Sequence, residues 1–279
     1  MKQHRIRLDF NSINDIGNIT TNDLIVVGGS KLWSLNTVNE QVDIINDSNV
    51  KCIDCLNEKI LASQSNRIDL WDINKLINSY NVDNREVIND IKFLNNRCFI
   101  TGGYNSSIKL FDSNIRQSIW EIKVCKDNIN HIEVNEQIFV STSDKMLVIL
   151  DLKGDQLQQH EFQFIIINFK IYKDFMIGLT DDGDLVVYNY KTGNIINTYN
   201  ILMPIQYLIS LDIRPLTKKI SIYVGSEQSK FMKIDWDRSN NLMINREEFP
   251  LQSPIINKVM TKSSKIICSS NDGFIYINK

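Results

Sequence analysis

A pair of apolar residues three positions apart recurs along the chain, in seven copies spaced 37 to 48 residues apart. The copies are Ile13/Ile16, Val50/Ile53, Ile88/Ile91, Ile129/Ile132, Ile166/Phe169, Leu208/Leu211 and Ile256/Val259. Around each pair, apolar and polar residues alternate over short runs that are separated by Asn, Asp, Gly and Ser. This pattern is typical of strands joined by turns. It predicts a chain built from β-rich repeats.

A second marker has the same period and consists of an apolar or aromatic residue that is usually followed by a polar one. Its copies are Trp33-Ser34, Trp71-Asp72, Phe111-Asp112, Leu150-Asp151, Tyr188-Asn189, Ile234-Asp235 and Tyr276-Ile277. Two markers that share one period of about 40 residues, with four strand-like runs per unit, indicate β-propeller blades. We therefore predict an all-β fold, a seven-bladed β-propeller.

The third repeat shows the unit most clearly, with strands predicted at 87–93, 97–102, 107–111 and 116–124. We expect a single domain over residues 1–279. Its blades are predicted at 11–46, 49–83, 87–124, 128–163, 164–200, 205–249 and 255–279, the last together with 4–10.

The last repeat supplies only three strands from its own segment. The missing strand is predicted at the amino terminus, where Arg5 to Phe10 alternates apolar and polar residues as a half-buried strand does. If this segment pairs with Gly273 to Ile277, it closes the last blade and removes an exposed sheet edge.

The segment from Phe99 to Asp112 resembles the WD40-repeat family position by position, and Trp71-Asp72 is the dipeptide that gives the family its name. The resemblance extends over essentially the whole chain. It implies a seven-bladed propeller that serves as a platform for assembling other proteins. The Gly-His pair that begins the family's repeats is missing, so its buried His, Asp, Ser/Thr and Trp network cannot form in full. We expect stability to come mainly from apolar packing.

Composition excludes several classes of function. The net charge of −2 and pI near 6.0 give no general attraction to nucleic acid or to an anionic membrane. No apolar run reaches the roughly 18 to 20 residues that cross a bilayer, and no secretory signal is present. Five scattered cysteines predict a reducing compartment, the cytoplasm or the nucleus. Abundant Ile and Asn with a single alanine, Ala62, favour an AT-rich eukaryotic genome.

Candidate chemical motifs are sparse. Cys52 and Cys55 form a CxxC, but residues three apart on a strand point to opposite faces, and no second ligand pair completes a zinc set. Asp182-Gly183 is a two-residue hairpin signal rather than part of a calcium loop. We predict no cofactor, no metal and no small-molecule substrate.

Two further functions stay open as alternatives. The first is an enzyme acting at the opening of the propeller; the only residues available for it are Asp15, Asp90, His131 and Lys258. The second is an RNA- or chromatin-associated subunit, with nucleic acid reached through the complex. Its local basic residues would be Arg5, Arg7, Lys51 and Lys258.

The resemblance places the partner-binding positions beside the first apolar residue of each pair. Blades 1 to 4 carry mostly polar residues there: Ser12, Asn14, Asn49, Lys51, Val87, Asn89, Asn128 and Asn130. Blades 5 to 7 carry mostly large apolar residues there: Ile165, Ile167, Tyr207, Ile209 and Ile255. Met203, in the loop joining blades 5 and 6, would border them. We predict a non-catalytic scaffold that binds a peptide or helix of another protein on this apolar rim. In a register shifted by one residue, the same side chains would be core.

Overall fold

A computed structural model describes residues 3–8, 11–19, 23–64, 66–73, 75–82, 87–201, 208–226, 230–251 and 255–278. These residues form seven antiparallel sheets of four strands each. Within the described ranges there is no α-helix, and therefore none long and apolar enough to cross a membrane. The predicted fold class, an all-β seven-bladed propeller, is confirmed. The chain divides into two compact units, residues 13–161 and residues 1–12 with 162–279. The single domain over 1–279 stays a prediction.

The unit of residues 13–161 contains blades 1 to 4, each a meander of four consecutive strands. Blades 1 and 2 consist of β2 Asp15–Asn18, β3 Leu24–Gly28, β4 Leu32–Asn36, β5 Val42–Asn46, β6 Ile53–Leu56, β7 Lys59–Ser63, β8 Arg67–Asp72 and β9 Lys75–Asn81. Blades 3 and 4 consist of β10 Ile88–Phe93, β11 Cys98–Gly103, β12 Ser107–Asp112, β13 Ser118–Lys123, β14 Ile129–Val134, β15 Ile138–Thr142, β16 Met146–Leu150 and β17 Gln156–Glu161.

The other unit contains blades 5 to 7. Blades 5 and 6 consist of β18 Ile166–Tyr172, β19 Phe175–Thr180, β20 Asp184–Asn189, β21 Asn194–Asn200, β22 Leu208–Pro215, β23 Lys219–Ser226, β24 Lys230–Asp237 and β25 Leu242–Pro250. Blade 7 consists of β26 Ile256–Lys262, β27 Lys265–Ser270, β28 Phe274–Asn278 and, from the other end of the chain, β1 Gln3–Arg7.

The amino-terminal strand joins the last blade, as predicted. β1 runs antiparallel to β28, with Arg7 opposite Phe274 and Gln3 opposite Asn278. The Leu8 N–H donates to the Gly273 carbonyl at 2.9 Å and extends the pairing by one residue. Ile6 is half-buried and Arg5 and Arg7 are exposed, which is the alternation that the sequence predicted. The strand begins and ends earlier than Arg5 to Phe10, and Phe10 lies outside the described residues.

The repeating apolar pair packs between blades, which explains why it recurs. Ile129 and Ile132, the pair of blade 4, are fully buried against β11 of blade 3. A Cβ atom on Gly102 would come within 2.9 Å of both side chains, so the missing side chain makes room for the pair. Gly225 leaves the same space for Ile256 and Val259. Each such core forms between two successive blades, not within one.

An aromatic cluster joins the outer strand of blade 2 to the second and third strands of blade 3. Tyr80 packs edge-on against Phe99 and Phe111, and the rings of Phe99 and Phe111 stack 5.1 Å apart. The Tyr80 hydroxyl donates to the Ser113 carbonyl at 2.8 Å, so its polar atom is satisfied. Phe111, the second-marker residue of this blade, is 2% exposed and belongs to the core.

Candidate functional site

The positions predicted to form the rim are equivalent in both units. In blades 3, 4, 5 and 7, the backbone carbonyl of the residue before the apolar pair accepts an N–H from the turn that follows the second strand. The four such hydrogen bonds are Tyr104 N–H to Val87 at 3.1 Å, Ser143 to Asn128 at 2.9 Å, Asp181 to Ile165 at 3.0 Å and Asn271 to Ile255 at 3.2 Å. Because the same bond recurs, these residues can be compared from blade to blade.

The apolar rim residues of blades 5 and 7 lie beside the core rather than within it. Ile165, Ile167 and Ile255 are half-buried, whereas the neighbouring pair members Ile166 and Ile256 are 2% and 0% exposed. The register therefore directs the pair, and not the flanking residues, into the core. Part of the Ile167 side chain packs against the apolar cluster between blades 5 and 6.

The predicted rim side chains at blade 6 lie outside the described part of the chain. Tyr207 and Met203 lie outside the described residues, and Ile209 is described only as a backbone residue of β22. The use of Ile165, Ile167, Tyr207, Ile209, Ile255 and Met203 as a partner-binding rim stays a prediction.

The polar rim residues of blades 1 to 4 link one blade to the next, which the sequence interpretation missed. Asn14 donates its amide to the Val50 carbonyl at 2.8 Å, and Asn89 donates to the Ile129 carbonyl at 2.9 Å. Both acceptors are the first residue of the apolar pair in the following blade. In blade 5 the equivalent residue is Ile167, whose side chain cannot form this bond.

A second set of links lies one residue further along the inner strands. In three blades, the side chain just before the second apolar residue of the pair accepts a backbone N–H from the next blade. The donor is the second apolar residue of the pair in that next blade. The acceptors and donors are Asp15 and Ile53 at 2.8 Å, Asp90 and Ile132 at 2.9 Å, and Ser210 and Val259 at 3.0 Å. The signal in the sequence is a short acceptor side chain at a fixed place in the repeat, although its donor lies 38 to 49 residues away.

A third set of links lies two residues beyond the second. Asp54 accepts the Phe93 N–H at 2.7 Å, and Asp212 accepts both the N–H and the hydroxyl of Thr261 at 2.6 and 2.9 Å. Bonds of this kind satisfy inner-strand amides that the sheet pairing leaves without an acceptor.

Blades 2 to 4 also bring charged side chains together on their inner strands. His131 Nδ1 lies 2.7 Å from Asp90 Oδ2, and its Nε2 lies 3.2 Å from Glu133 Oε1. Lys92 Nζ lies 3.2 Å from Asp90 Oδ1. Burial opposes the charge on Lys92, but the carboxylates of Asp90, Asp54 and Glu133 outweigh it and hold the pKa of Lys92 well above its usual value.

The candidate catalytic set is thus brought together only in part. Asp90 and His131 are in contact, but both are buried and engaged with neighbouring strands. Asp15 Oδ1 accepts the Ile16 N–H, and its Oδ2 accepts the Ile53 N–H. Lys258 lies on β26 of the other unit. The contacts of Asp15, Asp90 and His131 hold neighbouring strands together.

Cys52 directly precedes β6 and Cys55 lies within it, and their side chains pack on opposite sides, as predicted. Cys52 packs in the core between blades 2 and 3, and Cys55 packs against the core between blades 1 and 2. Burial raises the pKa of the Cys52 thiol to about 12, and its sulfur lies 2.8 Å from the Ser63 hydroxyl. Across the described ranges, no cluster of three or more His, Cys, Asp or Glu residues is placed to hold a metal ion.

The turns after the second strands of blades 5 and 7 contain the same kind of side-chain hydrogen bond. Gly183 has a φ of +83°, and the Thr180 hydroxyl accepts the N–H of Asp184 at 3.0 Å. In blade 7 the Ser270 hydroxyl accepts the N–H of Phe274 at 3.2 Å. Asp182-Gly183 therefore lies in a hairpin turn held by a side chain, but three residues, 181–183, separate β19 from β20 instead of the predicted two.

Three of the four basic residues of the nucleic-acid alternative, Arg5, Arg7 and Lys51, lie against aromatic rings. The Arg5 and Arg7 guanidinium groups lie 3.5 and 5.2 Å from the centre of the Phe274 ring, within cation–π distance. Lys51 Nζ lies 5.5 Å from the ring centre of Tyr104 and donates to Asn89 Oδ1 at 2.9 Å. Lys51 therefore lies beside the rim Asn of the next blade.

Comparison with known proteins agrees with this geometry. No family model matches the chain. A WD repeat-containing protein 55 homolog of Drosophila ananassae is 27% identical over 161 residues, 55% of this chain and 33% of the relative. The homolog of Drosophila yakuba is 24% identical over 208 residues, 71% of this chain and 40% of the relative. The chain is a divergent WD40-repeat protein. It spans about a third to two fifths of the curated relatives that it matches.

As a WD40-repeat protein, the chain lacks the Gly-His pair of the family's repeats but keeps the four-stranded blades. The carboxylates and hydroxyl of the inner strands supply links between blades. Asp15, Asp90 and Ser210 are such links, and so are Asp54 and Asp212 one set further along.

Proposed function

We propose that this WD40-repeat protein is a non-catalytic scaffold, a subunit of a multiprotein assembly that binds a peptide or helix of a partner protein along the rim of blades 5 to 7. WD40 propellers generally bind other proteins and typically carry no catalytic activity. That general function agrees with the repeat family and the fold.

The observation that carries the proposal is the residue at the rim position of blade 5. In blades 1 and 3 an Asn at this position donates a hydrogen bond to the following blade. Ile167 cannot form that hydrogen bond, and its apolar side chain is half-buried. Ile165 and Ile255, at the equivalent position before the pair, are also large, apolar and half-buried. Large apolar side chains that share a rim are typical of protein interfaces.

The substitution Ile167→Asn tests the proposal because it installs the residue that blades 1 and 3 already use. The matched control is Ile195→Asn on the outer strand of the same blade, where the side chain is 48% exposed. Tagged wild type and both variants are purified from the source cells, and co-purifying proteins are quantified by mass spectrometry. We expect Ile167→Asn to lower the recovery of at least one partner about tenfold, with Ile195→Asn unchanged.

Unfolding in urea separates an interface from a core position. Ile167→Asn is expected to cost less than about 1.5 kcal/mol, because the side chain is only half-buried. A loss of more than about 3 kcal/mol, with unchanged partner recovery, would show that Ile167 is core and that the rim is elsewhere.

A further inference from the structure

A depression opens where the inner strands of blades 1 to 3 begin, within the unit of residues 13–161. Its volume is about 340 Å³, and Asn14, Asn49, Lys51, Gln64 and Val87 line it. Among the described residues, this lining contains one cation and three amides, and no carboxylate. The volume lies near the lower end of the roughly 300 to 1,000 Å³ that small-ligand pockets occupy, so the depression suits a side chain or a short peptide segment.

Lys51 is the charged group of this lining, and its backbone is fixed. The Lys51 N–H donates to the Ser63 carbonyl at 2.9 Å. The ammonium group donates to the neutral amide oxygen of Asn89 and lies 5.5 Å from the ring centre of Tyr104. Burial by these neighbours lowers the pKa of Lys51, so part of its hydration is already lost.

Several other lysines of the chain pair with a carboxylate, although Lys59, like Lys51, donates to a neutral oxygen. Lys31 pairs with Asp47, Lys92 with Asp90 and Lys219 with Asp235. Lys51 forms no such ion pair with any carboxylate in the part of the chain that the structure describes. Lys51 is an exposed cation that these neighbours partly cover, and an anion that enters the concave site would stabilise it.

We propose that this depression binds the carboxylate of a Glu or Asp side chain from an extended segment of a partner protein. A carboxylate matches the lining better than a phosphate does, because the described lining residues include no arginine to form the bidentate contacts by which phosphopeptides are usually bound. Val87 and Tyr104 are 36% and 57% exposed and adjacent, joined by the Tyr104 N–H to the Val87 carbonyl. They offer an apolar contact for the residue next to the acid.

The site is independent of the rim of blades 5 to 7, so either can fail without the other. The test is selection of a phage-displayed random dodecapeptide library on the immobilised full chain. We expect the enriched peptides to share one Glu or Asp beside an apolar residue. Lys51→Gln should weaken their binding at least about tenfold, whereas Lys31→Gln, at a lysine already paired with Asp47, should leave it unchanged.

Synthetic versions of the best peptide identify the anion. Replacing its acid with Gln should also weaken binding about tenfold, and raising the salt concentration should weaken the acidic peptide more than the Gln peptide. Val87→Asp, which adds a negative charge to the lining, should repel the acidic peptide and serves as the second variant. Melting temperatures establish that each variant is folded.

Three outcomes would overturn the proposal. They are enriched peptides without a shared acid, acidic peptides that Lys51→Gln and Val87→Asp bind as well as wild type does, and tighter binding of a phosphoserine version than of the carboxylate version. The last result would make the depression a phosphopeptide site.

Discussion

At the residue before the second member of the apolar pair, blade 3 carries Asp90 and blade 6 carries Ser210. Both accept the backbone N–H of the second pair member in the next blade, Ile132 at 2.9 Å and Val259 at 3.0 Å. Asp90 brings a charge into the interior and requires Lys92 and His131 beside it, whereas Ser210 does the same task as a neutral group. The geometry of the link is thus common to the two units, and the chemistry is not.

We therefore expect that loss of the Asp90 acceptor and loss of the Ser210 acceptor lower the free energy of unfolding by different amounts. The two losses should also depend differently on pH. An ionised acceptor forms the stronger hydrogen bond, but its removal leaves a buried cation without its partner. A hydroxyl acceptor leaves only an amide unsatisfied.

The largest effect is expected for Asp90→Ala. The substitution removes the acceptor of the Ile91 and Ile132 N–H groups and the nearest carboxylate to Lys92, whose side chain is 13% exposed. We expect the free energy of unfolding in urea to fall by about 3 to 5 kcal/mol at pH 7. Asp43→Ala, on the exposed outer strand of blade 1, should change it by less than about 0.5 kcal/mol. A loss at Asp90 below about 1 kcal/mol would contradict the assigned role.

The second effect is a pH dependence at Asp54, close to Asp90. Burial raises the pKa of Asp54 to about 6, against the effect of Lys92 and the Phe93 N–H, while Asp90 and Glu133 add to it. The folded protein therefore binds this proton more tightly than the unfolded chain, whose Asp pKa is about 3.9. The stability that Asp54 contributes is present at low pH and is lost as the pH rises through about 6.

The variant Asp54→Asn isolates this titration from the other carboxylates. We expect the free energy of unfolding of the variant, minus that of wild type, to increase by about 1 to 3 kcal/mol between about pH 4 and pH 7. The measurement is urea unfolding of both proteins at the two pH values. A difference that is constant with pH would show that folding does not shift the pKa of Asp54, and one that decreases would show that its ionised form is stabilised; either result would contradict the prediction.

A smaller effect is expected for Ser210→Ala in blade 6. The substitution leaves the Val259 N–H without its acceptor, which should cost about 1 to 2 kcal/mol, with no cation left unpaired. The loss should be the same at about pH 5 and pH 7, because a hydroxyl does not titrate in this range. A loss equal to that of Asp90→Ala would show that charge adds nothing to the link.

The sequence was sufficient for the apolar pair, the four strands of each blade and the amino-terminal strand of blade 7, because these depend on local alternation and on one period. The observed strands of blade 3 lie within two residues of those predicted, for example β10 at Ile88–Phe93 against 87–93. In blade 6 the strands are eight or nine residues long, and they bury Trp236, which the second-marker pattern passed over in favour of Ile234.

The links between blades could not be predicted in this way. Asn14 and Asn89 are polar residues at a rim, and nothing local distinguishes an exposed amide from one that donates to a carbonyl 36 or 40 residues away. The same limit applies to Lys51, because its neighbours Asn89 and Tyr104 belong to the following blade. The position of Ile167 could be predicted from the register, but the hydrogen bond that it replaces could not.

The smallest effect is expected when the rim residue of blade 5 is placed at the equivalent position of blade 3. Asn89→Ile places the residue of blade 5 in blade 3, removing the bond to the Ile129 carbonyl and the acceptor of Lys51. We expect a loss of about 0.5 to 1.5 kcal/mol in urea unfolding, since the released groups lie near solvent. If Asn89→Ile is neutral or stabilising, an apolar residue at this position is favourable without a partner, and Ile167 no longer supports an interface on blade 5. If the loss is as expected, blade 5 has given up stability at its rim, as an interface residue does before it is covered.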